Sequence, residues 1–257
     1  MTNRYYIKQI TNNVYLINDD IMCSTYVVIG ENKALVIDAG IATNEENLLS
    51  KVKEITNLPL CVVITHAHFD HIGHLNEFEN FYIAKKELDN IKEENIKNKA
   101  IVLNDRDLFD LGGIVIESYI TKGHTSASTI FIDKVNKVVF TGDQFGSGCG
   151  VWMQVNEATT LSTYSNEIEK FIRYLNTIYE SDKWLFLGGH YGQEHTGRLG
   201  YNPLNLTMIS NLRILCDKLI ANEVLLQDSN AKMFNNEKSY YTNYNNAEMI
   251  IRKSLIK

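Results

Sequence analysis

Four histidines lie within nine residues of this chain, and an aspartate stands among them: His66, His68, Asp70, His71 and His74. Imidazole nitrogens and carboxylate oxygens are ligands that zinc, iron and manganese accept in proteins. A lone histidine is more often a packed or surface residue than a ligand, but packing does not explain this density of ligand-type residues. The segment therefore predicts a metal centre.

The spacing within the segment indicates how its ligands could serve two ions. Residues two apart on an extended backbone point to the same side, so His66 and His68 can hold one ion together. Asp70 and His71 follow after a turn and can face a second ion. Two metals about 3.5–4 Å apart can share one hydroxide, and an open position for water makes such a site catalytic.

Further candidate ligands stand just beyond apolar runs elsewhere in the chain: Asp38, His124, Asp143 and His190. Loops at the ends of strands on a rigid scaffold are common places for chemistry. We therefore expect these residues to gather around the histidine segment. No comparable pattern supports His74 or His195, and we expect both to lie outside the site.

The rest of the pattern predicts the elements that position these residues. Apolar and β-branched runs between turn residues predict strands at 14–17, 25–29, 34–37, 60–64, 81–84, 114–120, 129–132, 137–140 and 184–187. Helical spacing predicts helices at about 44–56, just after Gly73, at 86–95, at 163–179 and from Pro203 to about 222. Residues 240–251 predict a hairpin about Asn245-Asn246, with a last helix as the alternative.

The motifs resemble those of a known family. The run His66-Ala67-His68-Phe69-Asp70-His71 matches the H-x-H-x-D-H signature of the metallo-β-lactamase superfamily. The family's other motifs resemble four further runs, in the same order: Leu35-Val36-Ile37-Asp38-Ala39-Gly40, Gly123-His124-Thr125, Thr141-Gly142-Asp143 and Gly188-Gly189-His190. The resemblance covers about residues 13 to 195.

The resemblance implies an α/β fold, a four-layered αβ/βα sandwich of two mixed β-sheets flanked by helices. We expect a single domain over residues 1–257, in which 203–257 form a C-terminal helix and hairpin extension. The resemblance also implies one metal held by His66, His68 and His124, and a second held by Asp70, His71 and His190. Asp143 would bridge the two metals, and Asp38 would support the ligand loop by hydrogen bonds.

The resemblance further implies a binuclear metal-dependent hydrolase that uses a metal-bridging hydroxide on a small-molecule ester, thioester, lactone or lactam. Asp143 replaces the Cys ligand of some zinc β-lactamases, which favours the glyoxalase II and lactonase branches. The turn after His124 reads Ser126-Ala127-Ser128 instead of the frequent P-G-S, so its geometry is open. Asp70 is the candidate catalytic proton shuttle, with pure metal ligation as the alternative.

Other activities and metals stay open at this point. Zinc is the first choice of metal, with iron and manganese as alternatives. Within the same superfamily the competing activities are a phosphodiesterase or nuclease and an iron-dependent sulfur dioxygenase. A relative that has lost its metals is a further alternative, but all seven implied ligands are present.

The segment after Asp143 is the candidate substrate pocket. Glycines within 144–153 allow a mobile loop, and Trp152 and Met153 offer it apolar surface, although both could instead cover the core. Phe69 is expected to shape one wall. Tyr191 could donate a hydrogen bond to a substrate, with packing as the alternative. Cys149 has no basic neighbour in sequence, and we do not expect it to be a nucleophile.

Composition narrows the class of partner. The chain has 257 residues, 44% of them hydrophobic, and a formal net charge of −6, which argues against a general nucleic-acid binder. Its four scattered cysteines and the lack of an apolar leader or a long apolar run predict a cytoplasmic protein without a membrane partner. The expected partner is a small-molecule substrate, and the oligomeric state, including a homodimer, stays open.

Overall fold

The computed structural model describes residues 4–42, 46–147, 150–192, 204–229 and 237–257. Its first sheet contains seven strands in chain order: β1 (Tyr5–Gln9), β2 (Val14–Asp19), β3 (Ser24–Ile29), β4 (Ala34–Ile37), β5 (Leu60–Val63), β6 (Phe81–Ala84) and β7 (Ala100–Leu103). The strands pair antiparallel from β1 to β4 and parallel from β4 to β7. The parallel pairing of β4 with β5 brings the loops that follow both strands to one edge.

The second sheet has the order β13-β11-β10-β9-β8 and contains β8 (Leu108–Asp110), β9 (Val115–Thr121), β10 (Ser128–Asp133), β11 (Val138–Gly142) and β13 (Leu185–Gly188). Its pairs are antiparallel except for β11 with β13, which is parallel. The loops after β11 and β13 therefore lie side by side. Both predicted mixed sheets are confirmed.

A third sheet of four strands completes the described part of the chain. It contains β12 (Val151–Met153), β14 (Gln227–Asp228), β15 (Ser239–Tyr244) and β16 (Ala247–Arg252) in the order β12-β16-β15-β14. The hairpin of β15 and β16 turns at Asn245-Asn246, as predicted. Its strand β16 pairs in parallel with β12, which follows the loop after Asp143. The C-terminal hairpin thus reaches the predicted substrate pocket.

The described α-helices are α1 (Leu48–Ile55), α2 (Phe69–Ile72), α3 (Glu94–Lys97), α4 (Leu161–Leu175) and α5 (Leu206–Ile220). The side chains of Asn47, Thr160 and Asn205 cap α1, α4 and α5 by accepting a hydrogen bond from a first-turn N–H. None of the described helices is long and apolar enough to cross a membrane.

Strand alternation divides the core into layers. Along β4, Leu35 and Ile37 enter a cluster shared with Phe131 of β10, while Val36 faces away and packs with Val52 of α1. The outer face of the second sheet packs instead against α4 and α5. The order is therefore helix, sheet, sheet, helix, which confirms the predicted αβ/βα sandwich.

Several element boundaries differ from the predictions. The short helix predicted after Gly73 is present as a 3-10 helix (Leu75–Glu77), and α2 precedes it. The predicted helix at 86–95 is a 3-10 turn (Lys85–Asn90) followed by the short α3. Strands β1, β7, β8, β12 and β14 were not predicted. Pro203 lies outside the described residues, and the helix predicted to begin there is described from Leu206. The division of the chain into one domain stays a prediction.

Candidate metal centre

The ends of four strands deliver the predicted ligands to one place. His66 and His68 follow β5, and the N-terminal flank of α2 at His68 is extended, so both rings point to the same side. Helix α2 then turns the chain, so that the side chains of Asp70 and His71 lie beside Asp143 and His190. The remaining ligands follow β9, β11 and β13.

Two groups of ligand atoms result. One ligand atom from each of His66, His68 and His124 lies within 4.8 Å of the others, and the same holds for the set Asp70, His71, Asp143 and His190. All seven predicted ligands are therefore brought together, three in one group and four in the other. Oδ2 of Asp143 lies 3.9 Å from Nε2 of His124 and 3.2 Å from Nε2 of His190, so it stands between the groups.

Hydrogen bonds behind two rings of the first group fix the nitrogen that faces inward. Nδ1 of His124 lies 2.8 Å from the carbonyl oxygen of Trp152, which can only accept, so this nitrogen carries the proton. Nε2 of His68 lies 3.3 Å from a carboxylate oxygen of Glu157 and donates likewise. The inward atoms, His124 Nε2 and His68 Nδ1, then both carry lone pairs, and these two nitrogens lie only 3.0 Å apart.

The third ring of this group follows the same rule. The hydroxyl of Thr65 donates to Asp38 at 2.8 Å and therefore accepts from Nδ1 of His66 at 3.1 Å. Nε2 of His66 faces Nδ1 of His68 at 3.0 Å, again lone pair to lone pair. Three converging lone pairs repel one another unless a cation lies between them, so these residues fit a metal ion.

The second group also has buried atoms without partners. Nδ1 of His71 donates to Asp38 at 2.8 Å, and Nδ1 of His190 donates to the carbonyl of Met22 at 3.1 Å. Their Nε2 atoms turn toward Asp143. Among the described residues, His71 Nε2 and Asp143 Oδ1 are buried without a hydrogen-bond partner. A divalent metal would satisfy both atoms.

The electrostatics of the two groups differ. Burial lowers the pKa of His124 to about 4, helped by His68, and lowers that of His66 well below the usual value. Burial acts in the same direction on His71 and His190, but the negative charge of Asp143 outweighs it and raises the pKa of both well above the usual value. The first group thus offers neutral rings, while the second is an array of charges.

The two carboxylates of the second group are held ionised. Burial would raise the pKa of Asp70, but the charges of His71 and His190 outweigh it and lower the pKa to about 2. Burial is likewise outweighed at Asp143, whose pKa falls well below the usual value beside the same histidines. Ionised oxygens are the form that binds metals.

Gly189 leaves the space that the second group needs. A Cβ built at this residue would overlap Oδ1 of Asp143 and Cε1 of His71. Asp38, the predicted supporting residue, has a φ of 63°, a left-handed conformation that aspartate tolerates better than most residues. It accepts from the backbone N–H of Thr65 at 2.7 Å and so ties the ends of β4 and β5 together.

A pocket of about 430 Å³ opens over both groups. Phe69 and Trp152, two of the residues predicted for a substrate pocket, line this cavity, and Phe69 is 63% exposed. Further apolar surface comes from Ile21, Ile41 and Val155. This volume and lining fit a small molecule with an apolar part.

Other predicted pocket residues lie elsewhere. Met153 is fully buried in the core with α4 and α5, which was the stated alternative, because strand alternation turns it away from its neighbour Trp152. Tyr191 is absent from the pocket lining and its ring packs beside Lys8 at 5.4 Å. His74 binds Glu77 and the carbonyl of Ile41 and belongs to neither ligand group. His195 and Cys149 lie outside the described residues.

Two pocket residues that contact predicted ligands were not singled out from the sequence. Glu157 lines the pocket and orients His68, but no spacing signal links it to the histidine segment. Cys23 lines the pocket beside His190; burial raises the pKa of its thiol, against the opposing effect of that histidine. Both come from loops remote in sequence from the ligands that they contact.

Comparison with known proteins places the chain in a family. Residues 18–176 match the family model described as the metallo-beta-lactamase superfamily. The chain belongs to this superfamily. A metallo-beta-lactamase from Pontibacter korlensis has the same fold, with a TM-score of 0.62 and 17% sequence identity over 83% of this chain and 99% of that one.

Two curated proteins that are similar in sequence illustrate the range of relatives. The probable polyketide biosynthesis zinc-dependent hydrolase BaeB of Bacillus velezensis is 26% identical over 132 residues, which cover 49% of this chain and 57% of that protein. A hydroxyacylglutathione hydrolase of Cronobacter sakazakii is 27% identical over 144 residues, 54% of this chain and 49% of that protein. The match thus spans about half the length of these two relatives.

Proposed function

We propose that the chain is a metal-dependent hydrolase that cleaves an ester, thioester, lactone or lactam bond of a small molecule with the help of two divalent metals. The observation that carries this proposal is the convergence of two ligand groups on Asp143. The histidine-rich donor set favours zinc, and one relative is itself named a zinc-dependent hydrolase.

The bound metals would supply an activated water and polarise the bond to be cleaved. His66, His68 and His124 would hold one metal, and Asp70, His71 and His190 the other, with Asp143 between them. Hydrogen bonds from the outer nitrogens fix each ring before substrate arrives, so little reorganisation is needed during the reaction.

Asp70 has a second role in the proposal. It lines the pocket, and its Oδ2 lies 3.3 Å from Nε2 of His190. A carboxylate in this place can take a proton from the attacking water and pass it to the leaving group. Its low pKa favours ligation over proton storage at neutral pH, so the proton would be held only briefly.

The pocket supports a carbonyl substrate with an apolar part. Phe69 and Trp152 lie on the wall beside the ligands, and the cavity of about 430 Å³ has room for a small acyl compound. The names of the relatives point to the same reaction class, since both are called hydrolases.

The test begins with protein purified without added metal. Elemental analysis should find about two zinc ions per chain, and iron as the bound metal would instead favour a redox activity. A panel of thioester, lactone, lactam and bis-p-nitrophenyl phosphate substrates should give turnover on one of the carbonyl compounds. Turnover confined to the phosphate diester, or none in the metal-loaded protein, would overturn the proposal.

A further inference from the structure

Glu87 is a fully buried carboxylate, 0% exposed, outside the two ligand groups. It lies in the 3-10 turn (Lys85–Asn90) that follows β6. A buried charge is costly unless several donors satisfy it. Three of the four donors that Glu87 uses come from the two loops that carry the first group of histidines.

The first contact reaches the histidine segment. Oε2 of Glu87 accepts a hydrogen bond at 3.0 Å from the backbone N–H of Ala67. Ala67 stands between His66 and His68 in sequence, so this bond restrains the short stretch of backbone from which both rings project. The same oxygen also accepts from Nδ2 of Asn90 at 3.4 Å, within its own turn.

The other oxygen reaches the loop after β9. Oε1 of Glu87 accepts from the hydroxyl of Thr125 at 2.7 Å and from the backbone N–H of Ala127 at 3.2 Å. Thr125 directly follows His124. This is the turn that departs from the usual family sequence, and Glu87 supplies its anchor.

We propose that Glu87 is a positioning residue for the first metal site: it fixes the separation between the backbone around Ala67 and the backbone after His124. The inference rests on the proposed metal centre. Hydrogen bonds to a charged acceptor are roughly twice as strong as neutral ones, and here two of them join segments 58 residues apart through one rigid group. In the described structure, none of the four bonds reaches Asp143, His190 or α2.

Glu87→Gln tests this role with almost no change in shape. One oxygen becomes an NH₂ group, which opposes either the N–H of Ala67 or the N–H of Ala127. Zinc is titrated into the metal-free protein against a chromophoric chelator, and the first site is assigned by cobalt absorption with His68→Ala as reference. The dissociation constant of the first site should rise about 10- to 100-fold, while that of the second stays at its wild-type value.

Asp133→Asn is the matched control. Asp133 is also a fully buried carboxylate, and it accepts from the turn residues Val135 and Asn136, away from both ligand groups. This variant should lose stability to urea yet keep both zinc constants. Thr125→Val removes one arm of the Glu87 network and should weaken the first site by a smaller factor, which keeps the test open if Glu87→Gln fails to fold.

The outcomes separate the two proposals. If Glu87→Gln and Thr125→Val lose stability as Asp133→Asn does but keep the first-site constant, or shift both constants equally, Glu87 has only a structural role and the inference is wrong. If the wild-type protein binds no zinc or other divalent metal, the metal centre fails and this role fails with it.

Discussion

Nδ1 of His71 lies 2.8 Å from Oδ2 of Asp38, at the junction of β4 with the histidine segment. The same carboxylate accepts from the N–H of Thr65 at 2.7 Å and from its hydroxyl at 2.8 Å. Through Thr65 the network continues to His66 at 3.1 Å. One carboxylate therefore orients a ring from each ligand group.

Asp38→Asn should weaken metal binding without removing a ligand. The amide presents a donor to a site that three donors already occupy, so either His71 or Thr65 loses its partner. We expect the affinity for the second metal to fall about 10- to 100-fold. Equilibrium zinc titration measures this, and an unchanged affinity would show that the Asp38 bond to His71 is dispensable.

His68→Ala should remove one metal and nearly all hydrolytic activity. Nδ1 of His68 lies 3.0 Å from the inward nitrogens of both His66 and His124, so its loss leaves the first site with only two of its three histidines. The metal content measured by elemental analysis should fall from about two ions per chain to about one. His74→Gln is the control from the same segment, and it should keep both metals because His74 binds Glu77 and a backbone carbonyl instead.

The metal-free protein should be most stable near pH 6.5. The folded pKa values of His66 and His124 lie below the usual 6.5. As the pH falls below 6.5, these residues bind protons in the unfolded chain but not in the folded one, so the free energy of unfolding decreases. The folded pKa values of His71 and His190 lie above it, so their stabilisation is lost as the pH rises past 6.5. Both slopes follow from proton linkage.

Bound zinc should reverse the loss of stability that the metal-free protein shows as the pH rises above 6.5. Bound metal replaces the protons on His71 and His190, and proton release makes metal binding stronger as the pH rises. The measurement is the free energy of unfolding in urea, determined for the chelator-treated and the zinc-loaded protein between about pH 5 and pH 8. Parallel curves for the two forms would contradict the assignment of these rings as ligands.

Trp152→Ala should change substrate selection but not metal content. The indole lines the pocket, while the bond to His124 uses the backbone carbonyl of Trp152, which the substitution keeps. Loss of the apolar wall should lower kcat/KM about 10-fold or more on an apolar substrate. Met153→Ala is the opposite case: the free energy of unfolding should fall by about 2–5 kcal/mol, because this side chain is in the core.

Phe171→Ala should destabilise the whole fold. Its ring lies 5.0 Å from that of Tyr119 and 5.5 Å from that of Phe145, centroid to centroid, and is fully buried between α4 and the second sheet. The expected loss is about 3–5 kcal/mol in urea unfolding. Arg173→Ala on the exposed face of the same helix should cost no more than about 0.5 kcal/mol.

The sequence predicted the ligands better than their supports. The predicted ligands are recognisable because they are of ligand types and lie in the segments that follow four apolar strands. Glu87 and Glu157 carry no such signal, since a glutamate in a polar stretch is ordinarily a solvated surface residue. Only the folded chain shows that Glu87 is buried against Ala67 and Thr125.

The missed elements have a related cause. Residues 86–95 were predicted as a helix, but the chain there forms a 3-10 turn (Lys85–Asn90), in which Glu87 is buried, followed by the short α3. Strands β1 and β7 lie at the two edges of the first sheet, where partly exposed side chains blur the alternation that marks a strand. Local pattern therefore failed where tertiary contacts decide the backbone.

The parallel pairing of β12 with β16 joins the pocket wall to the far end of the chain. The family match ends at residue 176, whereas β16 begins at Ala247. Substitutions in the C-terminal hairpin can thus reshape the wall at Trp152 while the loops bearing His66 to His71 keep their sequence. Relatives can therefore differ in the molecules that they accept while they keep the same metal ligands. The C-terminal hairpin is the segment to exchange between relatives when a new substrate preference is sought.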